Sequence, residues 1–520
     1  MVKKYFTMLL LSFLGSGFLF AQIKVSAQFE GGNIQDFKIK DTAILKLSDK
    51  DSIIILSAQI LSRPDPRNPI DTSLSPSARW YYFKLTGVKG KQMFIKVPNS
   101  EVIRPFYSYD NKVFQRLEKS ENVIKGTINK VFTKDTVYFS HFIPYLYSRI
   151  VEKVSQWSQH PDVKKEVIGK SSQGRDIFML TITSNNSNKE PKKVIWIHGR
   201  SHPSESPASW HLEGMIEQLL NNSDYSKALR ENCIFYIVPF INPDGVYGGY
   251  SRSIANGVNI EINWDRPDSL TMPEVKVLKK TLENVLSKNN IDVFLNMHSQ
   301  IANSVTYWIH DAKSTTPDFF RKQVLFSNLT INGNPYYKSE HQSFSAIAPR
   351  YAEGWIWNKV GEKSMALTFE TPYTYYNENP TGEWVSIENL YELAKHSLYA
   401  ISDYLLLNAH ERVVVDNPIV SKQKLSLNND SKIMFIGDNY IQSSKDNAKI
   451  TYQTPVLKQG NYEVYKWIAG ECKEISKNGE NIWQKCDEIN IRRDKKVKYR
   501  IKLENSGDKA DALLFVRKSN

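Results

Sequence analysis

The chain has 520 residues, of which 41% are hydrophobic and 12% aromatic, and its formal net charge is +13. This composition excludes a largely disordered protein, and at about 150 residues per domain the length predicts roughly three or four domains. The lysines and arginines are scattered, and no arginine-rich run is interleaved with aromatic residues. We therefore interpret the charge as a basic soluble surface and expect no nucleic-acid partner.

Residues 1–21 have the order of a secretory signal peptide. Lys3 and Lys4 precede a mostly apolar run from Met8 to Phe20, and the small residue Ala21 offers a cleavage position. The alternative is a transmembrane anchor, but the apolar run is short for a bilayer and no second spanning run follows it. We therefore predict cleavage after Ala21 and a secreted or periplasmic protein without an integral membrane segment.

Residues 22–147 show short strand-like runs separated by turn residues, without a long helical period. This pattern predicts an antiparallel β-sandwich. The clearest runs are Ser52–Ser57, Trp80–Leu85, Met93–Val97 and Thr136–Ser140, and one loop is crowded by Pro64, Pro66, Pro69 and Pro76. No cluster of titratable side chains in this region indicates catalysis.

Residues 148–410 alternate between apolar strands and helices with a 3.6-residue period. Continuous apolar strands between helices predict an α/β fold with a mixed sheet covered on both faces. The predicted strands are Val194–His198, Ile234–Pro239, Val293–Met297, Ser304–Ile309 and Met365–Phe369, and the predicted helices are Ala208–Leu220, Pro273–Leu286 and Ile387–Leu407. Ligands of such sheets bind beyond the carboxyl ends of the strands.

Residues 411–520 return to short strands with polar turns, which predicts a second β-sandwich. Cys472 and Cys486 flank a polar loop there, and either a structural disulfide or two free thiols would fit this spacing. The third cysteine, Cys233, lies in an apolar run and is expected to be a buried free thiol.

The loop after the strand Val194–His198 carries the first chemical signal. His202 and Glu205 lie three residues apart in it, and an imidazole and a carboxylate at this spacing can bind one metal ion together. Taken alone, the pair is equally compatible with a solvated loop or a capping interaction. Asn242-Pro-Asp-Gly245 follows the next strand and has the composition of a tight turn.

Three further side chains could complete a site. His298 follows the strand Val293–Met297 and is the natural third ligand, because two histidines and one glutamate leave a tetrahedral position open for water. Glu370 closes an apolar strand, where a carboxylate is costly without a partner, and beside a metal ion it could transfer protons. Arg252 could stabilise an oxyanion. The ordinary alternatives are a core histidine, an exposed glutamate and a surface arginine.

These motifs occur in an order that resembles the zinc metallocarboxypeptidases. They are His202-Pro-Ser-Glu205, Asn242-Pro-Asp-Gly245 with Arg252, His298-Ser299 and Phe369-Glu370. The chain resembles the cytosolic-carboxypeptidase-like branch most, because Arg79-Trp-Tyr-Tyr-Phe83 and Phe142-Ile-Pro-Tyr-Leu-Tyr147 look like features around that branch's N-terminal β-sandwich. The resemblance runs from about Trp80 to Leu407, and it is specific as an ordered set.

The resemblance implies an eight-stranded mixed sheet flanked by helices and one zinc ion bound by His202, Glu205 and His298. It also implies that Glu370 is the general base and then the general acid, and that Arg252 polarises the scissile carbonyl. Tyr351 is the nearest candidate for the family's tyrosine that closes over the substrate, although a packed aromatic residue is the ordinary interpretation.

One stretch departs from the family pattern. In Val258-Asn-Ile-Glu-Ile-Asn-Trp264, Glu261 and Ile262 stand where relatives carry the Asn-Arg pair that anchors a terminal carboxylate. Glu261 cannot replace an arginine fork and should repel an anionic terminus, and Asn259 is the other candidate for substrate contact in this stretch. Either Arg266 or Arg350 substitutes for the missing arginine, or the substrate does not present its carboxylate there.

The sequence therefore predicts a secreted zinc-dependent hydrolase that cleaves an amide bond, most simply a metallocarboxypeptidase acting on a peptide. One alternative is a zinc amidase or deacylase, or a peptidase acting on peptidoglycan or on a modified C-terminus. A second alternative is a non-catalytic surface- or carbohydrate-binding protein on a hydrolase scaffold. The sequence does not reveal the oligomeric state.

Overall fold

The computed structural model describes residues 23–48, 52–98, 100–186, 191–331, 333–337, 342–376, 383–416, 425–467, 470–471 and 483–518. The predicted signal peptide and Cys472 lie outside these residues, so cleavage after Ala21 and a disulfide between Cys472 and Cys486 stay predictions. Cys233 is a buried free thiol, as expected. Within the described ranges, no helix is both long and apolar enough to cross a membrane.

The N-terminal strands form two sheets that share one hydrophobic core. The five-stranded sheet has the order β1-β4-β9-β6-β7 and the four-stranded sheet the order β2-β3-β5-β8. The strands are β1 (Lys24–Ser26), β2 (Asp36–Lys46), β3 (Ser52–Leu61), β4 (Tyr82–Thr86), β5 (Gln92–Lys96), β6 (Phe106–Ser108), β7 (Gln115–Arg116), β8 (Thr127–Val131) and β9 (Thr136–Ser140). One pair, β3 with β5, is parallel rather than antiparallel, because the chain crosses to the other sheet through β4 between them.

An eight-stranded mixed sheet follows, with the order β10-β11-β13-β12-β14-β17-β15-β16. Its strands are β10 (Val163–Lys170), β11 (Asp176–Ile182), β12 (Lys193–Gly199), β13 (Cys233–Val238), β14 (Val293–Gln300), β15 (Thr306–His310), β16 (Ser343–Ser345) and β17 (Met365–Pro372). The helices are α1 (Tyr147–Trp157), α2 (Ser206–Leu220), α3 (Asp224–Asn232), α4 (Pro243–Gly248), α5 (Pro273–Leu286), α6 (Pro317–Leu329), α7 (Ala352–Val360) and α8 (Ile387–Tyr404). The four central strands β13, β12, β14 and β17 are parallel, so their carboxyl ends meet at one edge.

The central strands are buried on both faces because successive side chains point to opposite sides. Ile195 and Ile197 belong to the core that includes residues of α2 and α8. Val194 and Trp196 belong to the core that includes residues of α5 and α7. This arrangement confirms the α/β fold that the continuous apolar runs predict.

Several predicted bounds differ from those of the structure. The strand predicted at Ser304–Ile309 is β15 at Thr306–His310, and the last helix ends at Tyr404 rather than at Leu407. Leu406 has a positive φ of 55°, which an α-helix cannot contain. Helix α6 was not predicted, although Thr316 caps it and Pro317 occupies its first turn, which is a typical helix start.

The C-terminal strands form several smaller sheets, in keeping with the predicted β domain. They are β18 (Arg412–Val415), β19 (Leu425–Asn428), β20 (Ile433–Met434), β21 (Tyr440–Ser443), β22 (Ala448–Leu457), β23 (Gly460–Trp467), β24 (Gly470–Glu471), β25 (Trp483–Ile491), β26 (Lys495–Leu503), β27 (Lys509–Ala510) and β28 (Leu513–Arg517). Their largest sheet has the order β18-β28-β23-β25. The domain boundaries at 147/148 and 410/411 stay predictions.

Candidate active site

His202, Glu205 and His298 converge at the edge where the parallel strands end. One ligand atom of each lies within 4.8 Å of the others, and all three residues are buried. The Nδ1 atom of His202 lies 2.8 Å from Oε1 of Glu205, and that of His298 lies 2.8 Å from Oε2. The backbone N–H of Ser299 donates a hydrogen bond of 3.0 Å to the same Oε2. The structure thus brings the three predicted ligands together.

The loop that carries His202 is folded around a buried arginine. Arg200 follows β12 with a positive φ of 67°, and its guanidinium donates to the carbonyl of Pro203 through Nε at 3.0 Å and Nη2 at 2.8 Å. Its Nη1 donates to Ser209 Oγ on α2 at 2.8 Å. Burial lowers the pKa of Arg200 to about 10. This arginine therefore fixes the spacing between His202 and Glu205, a role that no sequence pattern indicated.

The Asn242-Pro-Asp-Gly245 segment starts helix α4 and supports the same loop. Asn242 accepts a hydrogen bond from the backbone of Gly245 at 2.8 Å and donates one of 3.0 Å to the carbonyl of Ser201. Asp244 accepts from the Ser171 hydroxyl at 2.6 Å. The predicted turn is therefore a structural element next to the site.

The donor set fits a zinc ion. Two imidazole nitrogens and one carboxylate oxygen are ligands that zinc prefers, and here they surround one buried point. Burial opposes ionisation of Glu205, but the two histidines hold the pKa of this carboxyl well below its usual range. Burial lowers the pKa of His202 to about 4, so its imidazole is neutral and able to coordinate.

Glu261 does not face an open cleft. It is 5% exposed, its Oε2 lies 3.1 Å from Nε2 of His298, and Asn296 Nδ2 donates to its Oε1 at 2.8 Å. Burial would raise the pKa of Glu261, but the neighbouring His298 lowers it to about 2. The carboxylate therefore lies on the Nε2 side of the His298 ring, whereas Glu205 lies on its Nδ1 side.

Glu370 lies on β17 directly beside His298 on β14, because the two residues are paired in the parallel register. Its side chain is half-buried, and the Oε2 atom is buried without a hydrogen-bond partner. Burial, and then the charge of Glu205, raises the pKa of Glu370 to about 7. A carboxyl group with this pKa can both accept and release a proton near neutral pH.

Arg252 lies beside the proposed ligand Glu205. Its Nη1 lies 3.6 Å from Oε1 of Glu205, and one third of its side chain is exposed. It lines a cavity of about 530 Å³ together with Arg79, Ser100 and Glu101. It also lines a smaller cavity of about 90 Å³ together with Asn259. Asn259 accepts a hydrogen bond of 3.1 Å from the backbone of Glu261, which starts the short 3-10 turn Ile260–Ile262.

The other predicted substrate residues lie farther out. Arg266 has its Nη2 atom 3.9 Å from Asp71, and the exposed Arg350 donates to the hydroxyl of Tyr351 at 3.2 Å. Tyr351 immediately precedes α7. Across the parts of the chain that the structure describes, no hydrogen bond or ion pair joins these three side chains to the ligands. Their assignment to substrate stays a prediction.

Comparison with known proteins agrees with this geometry. The sequence model of the zinc carboxypeptidase family, Peptidase_M14, matches residues 153–381. An uncharacterised protein of Zymomonas mobilis is 27% identical over 320 residues, which are 58% of this chain and 80% of that protein. Mouse cytosolic carboxypeptidase 6 is 27% identical over 297 residues, and the match covers 55% of each chain. This chain thus matches little more than half the length of the mouse protein.

A solved metallo-carboxypeptidase from Burkholderia cenocepacia has the same fold. It superposes with a TM-score of 0.60 at 23% identity, over 73% of this chain and 98% of that chain. Both the fold and the family match therefore agree with the resemblance to zinc metallocarboxypeptidases that the ordered motifs indicated. Residues 153–381 of this chain thus match the zinc carboxypeptidase family, and the fold around them is that of a solved metallo-carboxypeptidase.

Proposed function

We propose that this chain is a zinc-dependent hydrolase of the metallocarboxypeptidase type, which cleaves an amide bond in a peptide substrate. The observation that carries the proposal is the convergence of His202, Glu205 and His298 next to Glu370. We propose that the first three hold one zinc ion. Zinc in such a site supplies Lewis acidity, which polarises a carbonyl group and makes water more acidic.

Glu370 acts as the proton-transfer group. Its unpartnered Oε2 accepts a proton from the attacking water and then delivers it to the leaving amine. Arg252 donates hydrogen bonds to the carbonyl oxygen as negative charge develops on it. The guanidinium of Arg252 already lies beside Glu205. It therefore needs little rearrangement to reach the scissile carbonyl of a substrate bound next to Glu205.

The test replaces Glu370 with Gln, which keeps the side-chain shape and removes the ability to accept a proton. We expect zinc content to be unchanged and hydrolysis to fall by about 100-fold or more. Glu362→Gln, in the exposed segment just before β17, is the control and should behave as wild type. Full activity of a zinc-loaded E370Q enzyme would contradict the assigned role.

We further propose that the protein is exported, with residues 1–21 as its signal peptide. The support is the charged, apolar and small-residue order at the N-terminus. N-terminal sequencing of the protein from fractionated cells should find Gln22 as the first residue, outside the cytoplasm. An unprocessed protein in the cytoplasmic fraction would contradict export.

A second candidate function is an amidase or a peptidase of modified termini. This candidate is favoured by Glu261 and Ile262, because they occupy the two positions where the resemblance implies the Asn-Arg pair that binds a terminal carboxylate. Free-acid and C-terminally amidated versions of one peptide separate the two candidates. A carboxypeptidase loses activity on the amidated peptide, whereas an amidase cleaves both or prefers the amide.

A further inference from the structure

Asp65 joins the N-terminal β domain to the segment that carries Arg252. Its Oδ1 accepts a hydrogen bond of 2.7 Å from the backbone N–H of Ser251. Its Oδ2 accepts one of 2.7 Å from Arg252 and one of 3.0 Å from Ser253. One carboxylate thus binds three consecutive backbone N–H groups that lie 186 to 188 residues away in the chain.

The same segment is held by other groups of the N-terminal domain and by the metal-ligand loop. The hydroxyl of Ser251 accepts hydrogen bonds of 3.0 Å from the backbones of Arg79 and Trp80. The carbonyl of Ser251 accepts from the backbone and hydroxyl of Ser204, at 3.1 and 2.8 Å. Ser251 therefore lies between the start of β4 and the loop that presents His202 and Glu205.

Burying the carboxylate of Asp65 costs hydration free energy, which is more than a contact that only holds two domains together requires. Asp65 is 5% exposed, and a buried carboxylate must recover its lost hydration through hydrogen bonds. Pro64 and Pro66 flank it and restrict the backbone, so the carboxylate is presented with little conformational freedom. Asp65 thus combines a negative charge, burial and a rigid backbone, and its hydrogen bonds hold the backbone of Arg252 and of the residues on either side of it.

We propose that Asp65 is a positioning residue that sets the location of Arg252, so that the N-terminal β domain is part of the catalytic apparatus. The inference rests on the proposed function of Arg252 at the scissile carbonyl. The guanidinium must lie at a defined distance from the ligands, and its backbone anchor comes from the other domain. A displacement of about 1 Å in such a group can cost on the order of 100-fold in rate.

A double-mutant cycle separates positioning from simple adhesion between domains. The variants are Asp65→Asn, Arg252→Ala and the double variant, all in the full-length zinc-loaded protein. We expect D65N to lower kcat by about 10- to 100-fold, with KM changed by less than about threefold, because the amide cannot accept all three hydrogen bonds. In the R252A background the same change should have almost no further effect on kcat.

Asp110→Asn is the matched control. The Asp110 carboxylate also accepts two backbone hydrogen bonds, both 2.9 Å, from Lys112 and Val113, but these lie within the N-terminal domain. This variant should keep wild-type kcat. Zinc content and thermal unfolding are measured for every variant, so that loss of fold or metal is not mistaken for loss of position.

Each outcome has one meaning. If D65N is folded and fully active, or if it lowers kcat equally with and without Arg252, Asp65 does not act through Arg252 and the inference is wrong. If R252A itself leaves kcat unchanged, the proposed function of Arg252 is wrong instead. If D65N does not fold, Asp65→Glu enters the same cycle, because it keeps the buried charge and displaces the acceptors by one methylene.

Discussion

The carboxylate of Glu261 lies 3.1 Å from Nε2 of His298, while Nδ1 of the same ring lies 2.8 Å from Glu205. A carboxylate on the far nitrogen of a ligating histidine fixes the ring orientation and increases the basicity of the coordinating nitrogen. The resemblance described above implies part of a carboxylate clamp at the position of Glu261. We therefore expect this position to support the proposed ligand His298 rather than the substrate terminus.

Glu261→Gln should weaken zinc binding by about 10- to 100-fold, the range typical for loss of such a partner. The amide can still accept or donate one hydrogen bond, but it removes the negative charge beside His298. Competition with a chromophoric chelator measures the zinc Kd. The control is Glu213→Gln, which alters another buried carboxylate, paired with Arg149 at 2.6 Å, and should leave the Kd unchanged. An unchanged Kd for E261Q would exclude this function.

The convergence of the three proposed ligands could be predicted because parallel strands end at one edge of a sheet. His202, His298 and Glu370 each follow or close an apolar run, and the resemblance supplied their roles. Their positions at strand ends were thus enough to predict that they lie close together. The expectation that Glu261 repels a substrate terminus depended on where its side chain points. That direction is set by the 3-10 turn Ile260–Ile262, which leaves no periodic signal.

Contacts between distant loops could not be predicted either. Asp65 and Arg252 are separated by 187 residues, and both lie outside regular secondary structure. The flanking prolines of Asp65 indicated only a rigid loop. Arg200 has an ordinary strand-end position in the sequence, and only the structure shows its guanidinium inside the loop of His202. Hydrogen bonds of this kind depend on tertiary placement rather than on local pattern.

Arg79 is expected to anchor the substrate carboxylate in place of the missing clamp. It lines the same cavity of about 530 Å³ as Arg252, and its Nε is paired with Glu101 at 3.0 Å. Hydrogen bonds to a charged group contribute about 1.5–3 kcal/mol, so Arg79→Gln should raise KM for a free-acid peptide by about 10- to 100-fold. The backbone bond from Arg79 to Ser251 is unaffected by this change.

The comparison variants are Arg266→Gln and Arg350→Gln, which test the two arginines proposed from the sequence. Each should raise KM less than Arg79→Gln does, because the cavity beside Arg252 is lined by Arg79 and by neither of them. With an amidated peptide, R79Q should have no effect on KM. If Arg266→Gln or Arg350→Gln raised KM more than Arg79→Gln does, that arginine would bind the substrate carboxylate instead of Arg79.

Removal of zinc should destabilise the catalytic domain. Glu205 is a buried carboxylate between two imidazoles, and a ligand that binds only the folded state at 100 times its Kd stabilises that state by about 2.7 kcal/mol. Thermal unfolding with and without a chelator measures the change. His202→Ala should lower the unfolding temperature and abolish its dependence on the chelator. An unfolding temperature that does not respond to metal removal in the wild-type protein would contradict a zinc site at these residues.

Acid should destabilise the fold through buried histidines that are not among the proposed ligands. The Nε2 atom of His211 lies 3.0 Å from the Ser397 hydroxyl, and its ring lies 4.9 Å from that of Phe369. Burial lowers the pKa of His211 to about 3. Burial, and then the charges of Arg412 and Lys395, lowers the pKa of His396 to about 3 as well. Between the unfolded pKa of about 6.5 and the folded pKa of about 3, both rings are therefore neutral in the folded protein and protonated in the unfolded chain.

The sign of the effect follows from proton binding. Below the unfolded pKa of about 6.5, the unfolded chain binds protons that folded His211 does not, so the free energy of unfolding falls as the pH falls. Each such histidine contributes at most about 1.4 kcal/mol per pH unit between the unfolded and folded pKa values.

His211→Gln should remove the contribution of one histidine to this pH dependence. Urea unfolding near pH 8, where histidine is neutral in both states, gives the packing cost of the variant. Its slope toward pH 5 should then be smaller than that of the wild type, and an equal slope would show that His211 is protonated in the folded state.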